Sequence, residues 1–167
     1  MSNIDPFKEI YKLLKTGKSA AALKIIYDEN SGQINKLYSA DLNHAWYVVG
    51  DIFFKLEKYE DALKAFKKSI RNRKDDWQAL WAIGNCYSEI GRPVFTERYI
   101  RKALLYVDRN KRQDLNYNLG NALFDQGKYL ESIKEYNKVK RSKNGGLRKL
   151  ANKNYRHAKR KVDQAQE

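Results

Sequence analysis

The residues that most often carry catalysis are few in this chain and poorly spaced for it. Its two histidines, His44 and His157, fit no metal-ligand spacing, and His157 sits inside a basic run. Cys86 is the only cysteine, which excludes an internal disulfide and a thiolate metal cluster. It falls in register with Ala122, so a buried small thiol is expected there, and not a nucleophile. Carboxylates occur mainly as helix-face charges, as in Glu57-Lys58 and Glu60-Asp61. The glycine pair Gly145-Gly146 lacks the Lys-Ser/Thr that a phosphate-cradling loop needs. The expectation is a protein that is not an enzyme and carries no cofactor and no metal.

Charge is the next candidate for chemistry. The 167 residues carry a net +14, and the excess is uneven. Lys138 to Lys161 hold eleven Lys or Arg and no Asp or Glu, so the last thirty residues contribute +9 and the other 137 only +5. Such a segment favours anionic partners such as nucleic acid, acidic protein or a membrane surface. The basic patch would be Lys149, Lys153, Arg156, Lys159, Arg160 and Lys161. Phosphate neutralisation by it would give affinity that falls steeply with salt. A solvated helix face is the plainer reading. No apolar run approaches the roughly 18 residues that a membrane span requires. The start, Met1-Ser2-Asn3-Ile4-Asp5-Pro6, lacks the basic and apolar stretches of a secretory signal, so a cytoplasmic location is expected.

The elements that would position any of these residues are helices, and they repeat. Trp46-x-x-Val49-Gly50-x-x-Phe53, followed by Ala62 and Phe66, returns as Leu80-x-x-Ile83-Gly84-x-x-Tyr87 with Thr96 and Ile100. It returns again as Asn116-x-x-Leu119-Gly120-x-x-Leu123 with Ser132 and Tyr136. Gly50 and Gly84 are 34 apart, Gly84 and Gly120 are 36 apart, and the two extra residues fit in polar Asp108–Arg112. Apolar residues at 46, 49 and 53 and at 62, 66 and 70 keep helical spacing. A glycine inside a helix costs about 1 kcal/mol relative to alanine, so its recurrence needs a cause. Close approach of a paired helix, opposite the small Ala62, supplies one.

This pattern resembles the tetratricopeptide repeat (TPR) family, whose unit is a 34-residue helical hairpin. His44-Ala45-Trp46-Tyr47, Lys58-Tyr59-Glu60-Asp61-Ala62, Leu119-Gly120-Asn121-Ala122-Leu123 and Gln126-Gly127-Lys128-Tyr129 carry the resemblance. It covers 43–146 well and 3–36 weakly, through Leu13, Gly17 and Ala22. The proline that often ends a repeat is missing, and the second-helix alanine is Thr96 in repeat two and Ser132 in repeat three. The resemblance implies an all-α fold, a TPR-like right-handed superhelix of antiparallel helical hairpins with a C-terminal capping helix. The expected organisation is a single helical-repeat domain over 1–167. It comprises a degenerate hairpin at 3–36, repeats at 43–76, 77–110 and 113–146, and a basic capping helix at 147–163. Helices are predicted at about 5–15, 19–30, 42–56, 60–73, 77–90, 94–107, 113–126 and 130–142. A short helix is predicted near Ile34–Tyr38. The last helix should bury Leu147, Leu150, Ala151, Tyr155, Ala158 and Val162 on one stripe.

The family also implies which side chains face a partner. Positions two, five, nine, twelve and thirteen of each repeat point into a concave groove, and of these five, nine and twelve are the candidate contacts. They are Tyr47, Asp51 and Phe54 in the first repeat, Trp81, Asn85 and Ser88 in the second, and Tyr117, Asn121 and Phe124 in the third. Rings supply contact area at low entropy cost, and amides bond a peptide backbone. TPR proteins that clamp a chaperone's terminal carboxylate use a basic residue at position five of the first clamp repeat. They use basic residues at positions two and six of a later one. Tyr47, Asp114 and Asn118 stand there instead, so that clamp is not expected. The expected function is binding of a protein or peptide ligand in the groove, as an adaptor or chaperone-like module. The alternative is nucleic-acid or other polyanion binding through the basic C-terminal helix.

Overall fold

A computed structural model describes residues 5–166. The N-terminal residues read above for a secretory signal, and the start of the degenerate hairpin, lie outside the described residues up to Ile4. The chain divides into two compact units, Met1–Cys86 and Tyr87–Glu167.

The first unit holds α1 (Lys8–Lys15), α2 (Ser19–Ile26), β1 (Tyr27–Asp28), β2 (Gln33–Ile34), a 3-10 segment (Lys36–Asp41), α3 (Leu42–Lys55), α4 (Tyr59–Asn72) and most of α5 (Trp77–Glu89). Side-chain caps open α3 and α5, whereas α1, α2 and α4 start without one. Asp41 accepts from the His44 amide at 3.0 Å, and Asp76 accepts from the amides of Gln78 and Ala79 at 3.1 Å each. Asp5 accepts from the Phe7 amide, but α1 itself begins only at Lys8. The α3–α4 hairpin is packed around Val49, Ile52, Ala62 and Phe66, all buried. Close approach is indeed what Gly50 serves, and the ring of Phe66 lies nearest to it. A Cβ on Gly50 would stand 2.6 Å from that ring. Trp46, expected on the buried stripe, is only half-buried.

Two sequence expectations change in this unit. Helix α2 ends at Ile26, not near residue 30, and the chain turns through the antiparallel pair β1–β2, with Tyr27 opposite Ile34. The Asp28 carboxylate accepts from the Asn30 amide and the Ser31 hydroxyl, and the Gly32 amide bonds Asp28 O at 2.8 Å. These local bonds compete successfully with another helical turn. The predicted short helix near 34–38 is a 3-10 segment displaced to Lys36–Asp41 and capped by Asn35.

The second unit holds the end of α5, then α6 (Pro93–Tyr106), a 3-10 turn (Arg109–Lys111), α7 (Arg112–Asp125), α8 (Tyr129–Val139) and α9 (Gly145–Gln164). Pro93 occupies the first turn of α6, where its missing N–H costs nothing. Asn144 caps α9 by accepting from the Leu147 amide at 3.1 Å. Leu115, Leu119, Leu123, Tyr136 and Val139 form the interior. Along α9, Leu147, Ala151 and Ala158 are buried and Tyr155 and Val162 half-buried. Leu150 is 50% exposed, so it leaves the expected stripe. Positions 147, 151 and 158 keep the i, i+4, i+11 rhythm of one face, and 150 falls beside it.

One turn design joins the helices of four hairpins. A backbone N–H reaches five residues back, and its predecessor three residues back. The pairs are Lys18 to Leu13 with Gly17 to Leu14, Lys58 to Phe53 with Glu57 to Phe54, Arg92 to Tyr87 with Gly91 to Ser88, and Lys128 to Leu123 with Gly127 to Phe124. These are Schellman closures, which put the penultimate residue in the left-handed region. Glycine fills it three times, and Glu57 stands there at φ 60°.

Candidate peptide-binding surface

In the first unit, α3 carries Tyr47, Asp51 and Phe54 on the helix face turned about 100° from Trp46. Tyr47 is half-buried, its ring 5.5 Å from that of Phe66. Burial, with the charges of Asp51 and Asp76 nearby, pushes its hydroxyl up to about 12. It is therefore a neutral hydrogen-bonding group at any physiological pH. Asp51 pairs with Lys55 at 3.1 Å, and Phe54 meets Tyr59 edge-on at 5.3 Å. Two residues that sequence reasoning missed adjoin them. Tyr11 on α1, 41% exposed, shares a 2.6 Å hydrogen bond with His44 Nε2. Desolvation, then Asp5 and Asp51, raise the Tyr11 hydroxyl pKa as well. The signal for Tyr11 was a weak first repeat, too degenerate to index.

On α5, Trp81 stacks on Trp77 with centroids 6.3 Å apart. Trp81 is half-buried and its indole N–H meets no acceptor. An unpaired buried donor is uncommon and costs free energy. Asn85, one turn on, is also half-buried.

In the second unit the structure brings Ser88, Asn121 and Phe124 together around a cavity of about 310 Å3, with Asp125, Tyr136, Asn154 and His157. Burial raises the pKa of the Asp125 carboxyl. The α9 residues Asn154 and His157 were not expected here. Asn154 Nδ2 donates to the Tyr117 hydroxyl at 3.1 Å and to Asn121 Oδ1 at 3.0 Å, while the Tyr136 hydroxyl also donates to Asn121 Oδ1. Phe124 lies between Tyr129 and His157, at 5.1 and 4.8 Å. Tyr117 also packs on the Val139, Leu147 and Ala151 cluster. Its ring thus has a structural role besides any binding one. His157 reads in sequence as one more member of a basic run, and only the packing of α9 on α7 gives it a neighbour to act with.

The basic patch residues Lys149, Lys153, Arg156, Lys159, Arg160 and Lys161 are all exposed on α9. Two upstream cations are engaged locally: Lys138 pairs with Glu135 at 2.7 Å, and the Lys140 ammonium stands 3.1 Å above the Tyr155 ring. Among the described residues no group of three or more His, Cys, Asp or Glu could hold a metal ion, and no helix is long and apolar enough to cross a membrane.

Two family models, both described as tetratricopeptide repeat, match the chain at residues 45–94 and 113–144. This is a tetratricopeptide-repeat protein. Solved TPR structures share its all-α fold. A crystal structure of MamA is 19% identical with a TM-score of 0.68, covering 93% of this chain and 95% of that one. YrrB, described as a TPR protein with an unusual peptide-binding site, is 18% identical with a TM-score of 0.70, covering 97% and 84%. The first TPR of Spaghetti (RPAP3), bound to the HSP90 peptide SRMEEVD, is 17% identical with a TM-score of 0.66, covering 83% and 98%. At these identities the likeness establishes the fold alone. Comparison with curated proteins finds no match.

Proposed function

We propose that this TPR protein is a non-catalytic interaction module, a cytoplasmic adaptor or chaperone-like protein. Its repeats act as one domain that binds a peptide or protein segment through first-helix positions. In the first unit these are Tyr47, Asp51, Phe54, Trp81 and Asn85, and in the second Ser88, Tyr117, Asn121 and Phe124. The observation that carries the reading is the state of the three rings at position five. Tyr47, Trp81 and Tyr117 are each half-buried, neither absorbed into the core nor fully wet. Rings held rigidly and partly open are the groups that anchor interfaces. The peptide complex of the RPAP3 neighbour supports the general mode, and the acidic surroundings of Tyr47 set the chemistry apart from a carboxylate clamp. Asp51 and Asp76 favour a ligand that is neutral or cationic where it meets α3.

The test is selection of binding peptides from an unbiased displayed library, followed by mapping on the isotope-labelled protein. Ligands that shift Tyr47, Trp81 and Asn85 support the reading. Ligands that shift only α9, and are lost at high salt, would move the function to polyanion binding. The exposure of Lys149, Lys153, Arg156 and Arg160 at i, i+4, i+7 and i+11 keeps that second reading open to the same experiment.

A further inference from the structure

Helix α2 stops after 8 residues, whereas α4 and α6 each run to 14. The chain leaves through β1, and Tyr27 stands against Trp46 and Phe53. Tyr27 meets the two rings edge-on, at 5.9 and 5.7 Å. The result is a cavity of about 470 Å3 within the first unit, floored by these three rings and walled by α4. That volume falls within the range of ligand sites. It opens on the Trp46 side of α3, about 100° around the helix from Tyr47, so it is distinct from the surface described above.

The wall is cationic. Lys58, Lys64, Lys67, Lys68 and Arg71 line it against two carboxylates, Glu29 and Asp61, and Asp61 is paired with Lys64 at 2.9 Å. The Lys68 ammonium lies 3.9 Å above the Trp46 ring, and Lys58 lies 6.0 Å from Phe53. Cations poised over rings combine a charge with an apolar surface. From Lys58 to Arg71 the row follows α4 for about 20 Å. Tyr27 meets both of the other rings edge-to-face. A long basic edge beside an apolar floor suits an extended chain better than a compact nucleotide.

We propose that this pocket is a second binding site, for an acidic peptide segment of a partner protein that seats one aromatic or aliphatic side chain on Tyr27, Trp46 and Phe53. Its carboxylates lie along Lys58, Lys64, Lys68 and Arg71. Charge complementarity selects the segment, and the ring floor sets its register.

The experiment titrates the full isotope-labelled chain with a set of hexapeptides of Glu and Asp carrying one Phe, Leu, Tyr or Trp at each position in turn. Matched Gln/Asn peptides and ATP serve as comparisons. Acidic peptides should shift the Trp46 indole, Tyr27 and α4, and bind more weakly as salt rises. Lys64→Gln with Lys68→Gln and Arg71→Gln should weaken binding about tenfold or more, while Trp81→Ala leaves it within about twofold. Circular dichroism should confirm that each variant is folded. The proposal is overturned if no peptide of the set shifts the Trp46 indole, or if the shifts fall on α9. It is equally overturned if the amide peptides bind as well, or if ATP alone occupies the pocket.

Discussion

A Cβ placed on Gly120 would stand 2.6 Å from Cε1 of Tyr136, closer than real Cβ contacts come. Tyr136 is 1% exposed and its hydroxyl is anchored on Asn121 Oδ1, so the ring has little room to give. Gly120→Ala should therefore destabilise the protein by about 1–3 kcal/mol, the overpacking cost outweighing the roughly 1 kcal/mol that alanine gains in a helix. Urea titration followed by circular dichroism reads it directly. A variant as stable as the parent would mean that α7 and α8 are not held this close.

Glu57 offers the opposite substitution. It occupies, at φ 60°, the turn position that Gly17, Gly91 and Gly127 fill in the other hairpins. The left-handed conformation costs an L-residue about 1 kcal/mol or more. Glu57→Gly should raise stability by about 0.5–1 kcal/mol, despite the added freedom of the unfolded chain. Loss of stability in a thermal melt would show that the Glu57 side chain contributes something the turn geometry does not.

Acid sensitivity should trace in part to Glu97. Desolvation works to raise its carboxyl, but hydrogen bonds from Lys128, Arg101 and Gln126, at 2.9, 2.8 and 2.9 Å, hold it down at about 2. A carboxyl depressed in the folded state adds stability above its ordinary value of 4.5, and that stability is lost as pH falls toward about 2. Glu97→Gln should cost about 2 kcal/mol at neutral pH, and the gap to the parent should close across that window. A gap independent of pH would place the effect in packing and not in charge.

The sequence made the repeat phase readable, because Gly50, Gly84 and Gly120 mark a spacing that composition alone would not produce. The rings at positions five could be indexed from it, and the helices expected at 77–90 and 94–107 correspond to α5 and α6. The β1–β2 pair escaped because each strand is two residues long and too short to show alternation. Leu150 was placed on the wrong face because an apolar residue beside a true stripe is indistinguishable without the partner helix. Asn154 and His157 escaped for a deeper reason. Their roles depend on α9 packing across α7, more than thirty residues away, and nothing local to them signals it.

Helix α9 should prove structural through its apolar face and not through its charges. Ending the chain after Gly146 removes Leu147, Ala151 and Ala158 from burial and takes the Asn154 donor from Tyr117 and Asn121. Burial of one leucine alone contributes about 1.5–3 kcal/mol, so the melting temperature should fall by several degrees or more. Replacing Lys153, Lys159, Arg160 and Lys161 by Gln should change stability by less than about 0.5 kcal/mol. A truncated chain that melts like the parent would make α9 a tail.

On the proposed function, the half-buried rings and amides of the first helices bind a peptide. Trp81 is the most telling residue, since its ring is partly open and its indole N–H lacks an acceptor. The decisive measurement is the affinity of a library-selected peptide for the parent, for Trp81→Ala with Asn85→Ala, and for the four-site Gln variant of α9, with helical content checked for each. The α5 variant should lose about 30-fold or more, equivalent to about 2 kcal/mol for one anchoring residue, while the α9 variant should bind nearly as the parent does. Binding that survives the α5 substitutions and disappears with the α9 charges would contradict it.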